Sequence, residues 1–414
     1  MIQVRQHLSH ISTGARVVET VAGSGAETPV PAVSATVPAR LSAFYAAVFL
    51  VNGIQLPFWP VWLTGRGLDA HAVAAVFAAA IWAKVIATPA VGALADRLGR
   101  RRAVMATLAA AACLAYAGLW PVAGFWPLLC LNLLAGTAQS ALMPLGDSVT
   151  LAAVRAHGLD YGRIRLWGSV SFILAALASG MALSAAGPGS HAEVLLFVLA
   201  ASALLLLVCL AVPQPAGAAD RSRAGSLRGL VGNRRFWLFA AAAAMLQASH
   251  QVYYGFGTLY WRRLGFSDVT IGGLWAEGVV AEIVLLWCGA RLVARLGPLG
   301  LMALGGLSGI LRWSLTGAAT TLPAAAALQV LHAGTFGASH LGAMHFMART
   351  VPPGAAASAQ SLYAALSSGL GSGLVMLAAG ALYAAYGGNA YLGMALLSAL
   401  GLFGTALLAR GGRS

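Results

Sequence analysis

The chain alternates between long apolar runs and short polar breaks, and the runs have the length at which a helix crosses a lipid bilayer. A membrane-spanning helix needs about 20 predominantly apolar residues, because the hydrocarbon core is ~30 Å thick. Helices suit lipid because each one satisfies its own backbone hydrogen bonds. The pattern therefore predicts an all-α membrane protein with twelve transmembrane helices. The predicted spans are 41–63, 70–95, 103–122, 125–153, 165–186, 191–212, 236–261, 268–290, 298–317, 322–347, 356–384 and 388–409.

Polar segments divide the chain into two sets of six spans. Residues 41–212 and 236–409 are the predicted six-helix halves, and the polar stretch 213–235 is the predicted cytoplasmic linker between them. Residues 1–40 are rich in small and polar residues and lack the apolar core of a signal peptide, so we expect a disordered cytoplasmic tail. Residues 410–414 are expected to form a second cytoplasmic tail.

The positions of the basic residues predict the orientation in the membrane. With both termini in the cytoplasm, 20 of the 25 Lys and Arg residues fall in cytoplasmic segments, and 3 fall on the opposite side, namely Arg66, Arg262 and Arg263. The other two, Lys84 and Arg312, lie inside spans. Cytoplasmic loops of membrane proteins carry such an excess of Lys and Arg. We therefore expect a multi-pass protein of the cell (inner) membrane with both termini in the cytoplasm.

The composition agrees with a chain that lies mostly in lipid. Charged residues make up only 9% of the sequence, hydrophobic residues make up 59%, and the mean hydropathy is +0.81. The net charge of +14 does not indicate nucleic-acid binding, because the basic residues occupy separate short loops rather than one patch. The sequence contains no metal-ligand spacing, nucleotide-binding loop or nucleophile–base motif. We expect no cofactor, no metal and no enzymatic activity.

The two predicted halves repeat each other at an offset of 198 residues. Lys84 in the first half aligns with Glu282 in the second, and Phe77 aligns with Trp275. Such repeats are typical of secondary transporters, whose substrate site lies between the halves near the bilayer midplane. The other matches are Gly67 with Gly265, Arg97-Leu98-Gly99 with Arg295-Leu296-Gly297, and Ala135-Gly136-Thr137 with Ala333-Gly334-Thr335.

The loop between the second and third predicted spans carries a motif. It reads Gly92-Ala-Leu-Ala-Asp96-Arg97-Leu-Gly99-Arg100-Arg101-Arg102. This segment resembles the signature loop G-x-x-x-D-R-x-G-R-R of the major facilitator superfamily, and the resemblance implies the major facilitator fold with two pseudo-symmetric six-helix halves. Gly99 permits a left-handed turn, and Asp96 can pair with neighbouring arginines. The residues expected to act in the conformational change are Gly92, Asp96, Arg97, Gly99 and Arg100.

Narrower segments resemble the phenylpropionate permease family, and this resemblance runs through most of residues 41–410. It implies proton-linked import of an aromatic carboxylate. The segments include Leu56-Pro57-Phe58-Trp59-Pro60-Val61-Trp62-Leu63, Tyr161-Gly162-Arg163-Ile164-Arg165-Leu166-Trp167-Gly168-Ser169, Gly278-Val-Val-Ala-Glu282, Arg312-Trp313 and Leu331-His332-Ala-Gly334-Thr335-Phe336.

The chain is more distantly similar to the lactose permease family of sugar–proton symporters. In that family an acid in span four and an arginine entering span five hold the substrate, and Asp147 and Arg165 occupy the matching places here. Arg312 and His332 match an arginine in span nine and a histidine in span ten. The proton-carrying glutamate of that family, three residues after the histidine, is replaced by Thr335. Proton coupling would then use another acid.

Ionisable side chains inside spans are candidates for function, because a charge in lipid costs at least about 2.5–3.5 kcal/mol. Lys84, the only lysine in the chain, would attract a substrate carboxylate, and Glu282 would carry a proton. Phe77 and Trp275, each seven residues before one of these two, would supply aromatic walls. A buried Lys84–Glu282 salt bridge that only holds the halves together is the alternative.

Two further pairs of charged residues leave alternatives open. Asp147 and Arg165 are either a substrate clamp or a structural ion pair near the cytoplasmic mouth. Glu277 and Arg312, which lie at similar depth in neighbouring spans, are either a structural pair or part of a proton relay.

A histidine and several polar residues complete the expected site. His332 lies at midplane depth, where a histidine suits proton handling, and it joins Glu282, Asp147 and Arg312 as an expected proton-coupling residue. Trp59, near the end of its span, is expected to be an interfacial anchor instead. The remaining expected substrate contacts are Asn52, Tyr254 and His250. Gln55, Gln247 and Gln251, like Asn52 and Tyr254, either line the cavity or form hydrogen bonds between helices.

The sequence thus predicts a proton-coupled importer of a small aromatic carboxylate that works by alternating access as a monomer. Its expected partners are a small anionic substrate, protons and the lipid bilayer, without nucleic acid. A sugar or nucleoside symporter, or a drug exporter, on the same fold is the alternative, and a neutral sugar would not require Lys84. A histidine-ligated membrane enzyme is disfavoured, since His332, His340 and His345 lack the spacing that places two ligands on one helical face.

Overall fold

Helices make up nearly all of the described chain. The computed structural model describes residues 36–187, 189–214, 232–352 and 355–411, so most of the predicted first tail and linker and the last three residues lie outside it. The helices are α1 (Thr36–Gly65), α2 (Ala70–Leu98), α3 (Arg101–Gly118), α4 (Phe125–His157), α5 (Tyr161–Ala186), α6 (Ala192–Ala211), α7 (Arg234–Ala248), α8 (Gln251–Arg263), α9 (Asp268–Trp287), α10 (Gly289–Thr316), α11 (Leu322–Val330), α12 (Ser339–Thr350), α13 (Ala356–Ala364), α14 (Ser372–Tyr386) and α15 (Tyr391–Arg410). Two π-helical segments, Ala333–Ala338 and Ala365–Gly371, and a 3-10 turn at Gly387–Ala390 join neighbouring helices.

Eight helical stretches of the described ranges are long and apolar enough to cross a membrane. This finding agrees with an all-α, multi-pass membrane protein, while the count of twelve spans stays a prediction. The predicted spans 236–261 and 322–347 are each built from shorter helices that meet at an interruption. The eight are Thr36–Gly65, Ala70–Leu98, Phe125–His157, Tyr161–Ala186, Ala192–Ala211, Asp268–Trp287, Gly289–Thr316 and Ser358–Arg410, the last of which covers two predicted spans.

Several helices extend beyond the boundaries expected from the hydrophobic pattern, and α1 and α10 extend the furthest. Helix α1 begins at Thr36, inside the segment 1–40 that was expected to be a tail, because Pro38 stands in the first turn, where its missing N–H costs no hydrogen bond. Helix α10 includes the expected loop after residue 290. It is broken at Gly297, which adopts φ 65° ahead of Pro298, a position where helical backbone is disfavoured.

Span 236–261 is interrupted between α7 and α8 although it contains no proline. Ser249 Oγ donates to the Leu246 carbonyl at 2.7 Å, and His250 Nδ1 lies 3.2 Å from the Gln247 carbonyl. Hydrogen bonds of this kind, from a side chain to nearby backbone, compete with the helical ladder. The interruption leaves the side chains of Gln247 and Gln251 on either side of it.

Two pairs of turn glycines are related by the 198-residue repeat, and the members of each pair share one backbone conformation. Gly67 and Gly265 have φ of 88° and 83°, and Gly99 and Gly297 have φ of 62° and 65°. Only glycine adopts such left-handed backbone without strain, so the offset read from the sequence also relates the turns of the structure. The same offset relates Asp69 and Ser267, whose side chains cap the N-termini of α2 and α9.

The N-terminal region (36–214) and the C-terminal region (232–411) pack closely at one end of the bundle, near the starts of α2 and α9. We call this the closed end. A Cβ atom on Gly180 would overlap the backbone carbonyl of Asp268, and one on Gly272 would overlap that of Ala176. Gly380 of α14 meets the backbone of α2 in the same way. Small residues allow helix backbones to approach this closely in membranes.

Hydrogen bonds between the regions reinforce the closed end. Arg262 grips Asp268 with two N–H···O contacts of 2.6 and 2.7 Å and also donates to the Ser190 carbonyl of the N-terminal region at 3.1 Å. The backbone N–H of Val269 donates to Ser184 Oγ at 3.0 Å. Two hydrogen bonds thus connect the regions on the side where their backbones touch, and one of them comes from an arginine that an ion pair within the C-terminal region holds in place.

The signature loop has the expected local geometry. Gly99 adopts the left-handed conformation that ends α2, and Asp96 forms a 2.8 Å ion pair with Arg101. Gln214, which follows α6, donates to the Gly99 carbonyl at 2.8 Å and accepts from the backbone N–H of Arg102 at 3.1 Å. The loop is thereby tied to the residue just before the expected linker. The other motif residues are half-buried or exposed: Gly92, Arg97 and Arg100.

Candidate substrate-binding site

A cavity of ≈ 510 Å³ lies between the two regions. Its volume falls within the range of about 300–1,000 Å³ that small-molecule sites occupy. The N-terminal region supplies side chains from α1 to α5, and the C-terminal region supplies side chains from α7, α8, α14 and both π-helical segments. Aromatic rings and side-chain amides dominate the walls, so the cavity suits a small molecule with an apolar ring and a few polar groups.

Four residues selected from the sequence line this cavity: Phe77, Lys84, Asn52 and Tyr254. Lys84 is the only charged residue among the described lining residues. Its ammonium group has no carboxylate within 4.0 Å in the described part of the chain. The cavity therefore presents one unpaired positive charge beside the aromatic ring of Phe77, two helical turns away on α2.

Glu282 lies next to the cavity rather than on its wall. Its side chain is half-buried and packs toward Gly337, where an added Cβ would lie 3.4 Å from Glu282 Cγ. It makes no ion pair with Lys84, so the structural salt bridge considered from the sequence is not formed in this conformation. No hydrogen-bond partner of the Glu282 carboxyl group occurs among the described residues.

Asp147 and Arg165 do not bind each other either. The Asp147 carboxylate accepts hydrogen bonds from the hydroxyls of Tyr45 at 2.6 Å and Tyr161 at 3.0 Å. The Arg165 guanidinium instead lies over the rings of Phe49, 4.1 Å from its centroid, and Tyr45, at 5.3 Å. Phe49 lines the cavity, so Arg165 stands one layer behind the wall. The sequence did not identify Tyr45, because a tyrosine in an apolar run is usually a packing residue.

Arg312 is a buried cation with neutral partners. Its side chain is 1% exposed, and its guanidinium bonds to His332 Nδ1 at 3.0 Å, to Thr335 Oγ1 at 3.1 Å and to the Gln329 side-chain oxygen. Within the described ranges it forms no ion pair with Glu277 or any other carboxylate. Two ring faces add cation–π contacts at 4.8 and 4.4 Å, those of Tyr253 and Trp313.

Thr335 connects this cluster to a second buried histidine. Thr335 Oγ1 lies 3.1 Å from His250 Nε2 and also contacts Arg312. The residue that replaces the proton-carrying glutamate of the lactose permease family is therefore a hydrogen-bonding link within a fully buried network. Because a threonine hydroxyl does not ionise near neutral pH, Thr335 cannot replace that glutamate as a titrating group.

Two residues expected on the cavity wall lie behind it. His250 is 0% exposed, and its ring stacks on the ring of Tyr254 with centroids 5.6 Å apart. Trp275 is also buried; its Nε1 donates to Thr258 Oγ1 at 3.0 Å, and its ring stacks on Tyr253 at 4.3 Å. Both positions lie on helix faces that turn toward neighbouring helices, and a run that is apolar all round does not reveal that rotation.

A polar network on the N-terminal wall joins Asn52 and Gln55, which were selected from the sequence, to Tyr116 and Gln139, which were not. The Tyr116 hydroxyl donates to Gln139 Oε1 at 2.7 Å and accepts from Gln55 Nε2 at 2.7 Å. Trp59, expected to be an interfacial anchor, is buried on this wall, and its Nε1 donates to Asn132 Oδ1 at 2.8 Å. That expectation was wrong because Asn132 on α4 offers the indole a buried partner, which depth along α1 alone does not show.

Replacing Arg312 with lysine is expected to lower the thermal unfolding midpoint by about 3 °C or more. A lysine ammonium is a compact charge that does not serve three acceptors and two ring faces at once. Heating the detergent-solubilised protein while recording tryptophan fluorescence measures the midpoint. Arg155→Lys, at an exposed arginine of α4, is the matched control and should change little. Equal shifts in the two variants would contradict a stabilising role for the cluster.

Comparisons with known proteins agree with this architecture. The model of the MFS_1 like family matches residues 39–392. The probable 3-phenylpropionic acid transporter of Escherichia coli (strain K12) is 30% identical over 366 residues, which are 88% of this chain and 96% of that protein. Maltose permease of Geobacillus stearothermophilus is 29% identical over 376 residues, covering 89% of this chain and 93% of the permease.

Solved structures show the same fold at low sequence identity. The nucleoside transporter NupG superposes with a TM-score of 0.78 at 19% identity, covering 90% of this chain and 98% of that chain. A bacterial homologue of the human lysosomal transporter Spinster, in an inward-facing and unoccupied conformation, gives 0.69 at 16% identity, covering 90% and 96%. These relatives and neighbours are membrane transporters, and none is an enzyme. The chain therefore belongs to the MFS_1 like family of major facilitator transporters and is a multi-pass membrane protein.

Proposed function

We propose that the protein is a secondary active transporter that carries a small aromatic carboxylate, such as 3-phenylpropionate, together with a proton. The observation that carries this proposal is the unpaired Lys84 on the wall of an aromatic cavity of ≈ 510 Å³. An isolated ammonium group at membrane depth is costly, and a substrate carboxylate would compensate it. The rings of Phe77 and Trp59 would contact the apolar part of the same molecule.

Alternating access would arise from rocking of the two proposed six-helix halves, 41–212 and 236–409, about the cavity. The closed end brings helix backbones together at Gly180 and Gly272, so it acts as one of the two gates. With the orientation expected from the basic residues, this gate faces away from the cytoplasm, and the described conformation is inward-facing.

Glu282 is the proposed proton carrier. Among the carboxylates inside the spans, Asp147 is held by two tyrosine hydroxyls, whereas Glu277 and Glu282 have no hydrogen-bond partner in the described ranges. Glu282 is the better candidate, because it packs against Gly337, next to Phe336 of the cavity wall. The position that matches the glutamate of the lactose permease family is occupied by Thr335, whose hydroxyl does not ionise near neutral pH. Arg312, held by the neutral His332, would keep a fixed positive charge near the site rather than carry the proton.

A sugar or nucleoside symporter is the second candidate, and the neutral polar residues Asn52, Gln55 and Tyr116 of the cavity wall favour it. A relative named maltose permease also supports a sugar as the substrate. A neutral sugar would not need Lys84, so a cation on the wall separates the two candidates. A drug exporter on the same fold would likewise not require an anion-compensating residue.

Uptake of labelled 3-phenylpropionate into proteoliposomes with an imposed inward proton gradient tests the proposal. We expect gradient-driven accumulation in the wild-type protein. If vesicles with correctly folded protein take up no 3-phenylpropionate, that substrate is excluded, and maltose and nucleosides form the next panel.

Replacing Glu282 with glutamine is expected to reduce the stimulation of uptake by the proton gradient at least about tenfold. Unlike a carboxyl group, an amide does not take up and release a proton during the transport cycle. Exchange of labelled for unlabelled substrate without a gradient should persist, since it needs no net proton transfer. Glu277→Gln, five residues earlier on α9, is the matched control and should retain gradient-driven uptake. Retained stimulation in Glu282→Gln, or its loss only in Glu277→Gln, would assign the proton to another group.

A further inference from the structure

Three polar side chains on the C-terminal wall face the cavity without a protein partner. Gln247, Gln251 and Tyr254 all line it, and none of their side-chain polar atoms forms a hydrogen bond with the described residues. Gln251 is only 5% exposed, so its amide has little access to anything other than the cavity. Gln247 lies in the last turn of α7, just before the interruption between α7 and α8, and Gln251 and Tyr254 follow it on α8, so the three side chains reach the same cavity from both sides of the interruption.

Other buried amides of the protein are satisfied by protein groups. Gln329 donates to Tyr253 Oη and to the Leu274 carbonyl, each at 3.0 Å, and its oxygen accepts from Arg312. Asn132 donates to the Leu128 carbonyl at 2.7 Å. The unpartnered state of Gln247 and Gln251 is therefore confined to the wall of the cavity, where a ligand can reach them.

The chemistry of these groups restricts their ligand. Each glutamine offers an oxygen that needs a donor, and a carboxylate has no proton to give. The Lys84 ammonium, on α2 of the opposite region, is the natural partner of the carboxylate. The amide oxygens then require a second polar group on the substrate, one that both donates and accepts, and a hydroxyl group does both.

We propose that Gln247, Gln251 and Tyr254 form a hydroxyl-recognising subsite, so that the preferred substrate is an aromatic carboxylate with a hydroxyl group on its ring. This inference rests on the proposed function and narrows its substrate class. A ring without the hydroxyl covers the amides and leaves them unpaired, and sites built to hydrogen-bond a hydroxyl discriminate strongly against analogues that lack it.

Binding of two matched acids tests the subsite. We would measure the affinity of 3-phenylpropionate and 3-(4-hydroxyphenyl)propionate by titration calorimetry on the purified full-length protein. In the wild type the hydroxylated acid is expected to bind at least about tenfold more tightly. In Gln251→Met, which keeps side-chain length and removes the amide, the ratio is expected to fall to about twofold or less. Gln247→Met should reduce the ratio in the same direction.

Controls separate the subsite from folding and from the proposed function. Gln360→Met, at an exposed glutamine of α13 outside the cavity, should keep the wild-type ratio. A thermal midpoint close to that of the wild type excludes misfolding of the Gln251 variant. Equal affinities of the two acids in the wild type, or a ratio unchanged in both cavity variants, would overturn the inference while leaving carboxylate transport intact. Binding of neither acid would overturn both.

Discussion

Replacing Lys84 with alanine is expected to reduce the uptake of 3-phenylpropionate by about 30-fold or more. A charge-assisted hydrogen bond to a carboxylate inside a protein is worth about 2–3 kcal/mol, and no other charged group of the described cavity wall could replace it. The loss should appear mainly as a higher substrate concentration for half-maximal uptake. Initial rates in proteoliposomes over a range of substrate concentrations measure it.

Two companion variants make the Lys84 result interpretable. Lys84→Arg keeps the positive charge and should retain part of the uptake, whereas Lys84→Met keeps much of the side-chain volume and should behave like alanine. Arg155→Ala, at an exposed cation far along α4, should transport normally. Full uptake in Lys84→Met would exclude an anion at this position and would favour a neutral sugar or nucleoside as the substrate.

The sequence predicted the helical fold well because lipid restricts the choice of structure. Long apolar runs have to be helical, and turn glycines at the repeat positions mark where the chain reverses. Gly99 and Gly297 are examples, since their left-handed backbone follows from the aligned R-L-G segments. The interruption at Ser249 and His250 was not predictable, because it depends on hydrogen bonds from two side chains to nearby carbonyls rather than on proline or glycine.

Only those residues of the candidate site could be predicted whose type is rare inside a membrane-spanning helix. Lys84 was identified because a lysine inside an apolar run is costly, and it does line the cavity. Trp275 and His250 were expected on the cavity wall but lie behind it. The sequence of a helix that is apolar all round does not indicate how the helix is rotated about its axis. The hydrogen-bond partners of Asp147 are tyrosines of α1 and α5, and their meeting depends on the packing of helices far apart in the sequence.

Substituting Gly272 with alanine is expected to reduce transport about fivefold or more by opening the closed end. The added Cβ would overlap the Ala176 carbonyl, which is backbone of α5 and cannot turn aside as a flexible side chain can. Overpacking of this kind costs about 1–3 kcal/mol, enough to shift an equilibrium between two conformations about 5- to 150-fold. Gly180→Ala, which meets the Asp268 carbonyl, should have the same effect from the other side of the interface.

The neighbouring residue provides a matched control on the same helix. A Cβ on Gly273 would meet no atom within 4 Å, so Gly273→Ala changes helix propensity equally without separating α5 and α9. The readout is labelling of Gln55→Cys on the cavity wall, with the four native cysteines replaced by serine, by an impermeant maleimide added from the side of the closed end. Labelling should rise in Gly272→Ala and stay at the parental level in Gly273→Ala. Equal labelling of the two variants would mean that the backbone contact between α5 and α9 does not hold this gate closed, and the gate would then depend on the Arg262–Asp268 pair and its bond to Ser190.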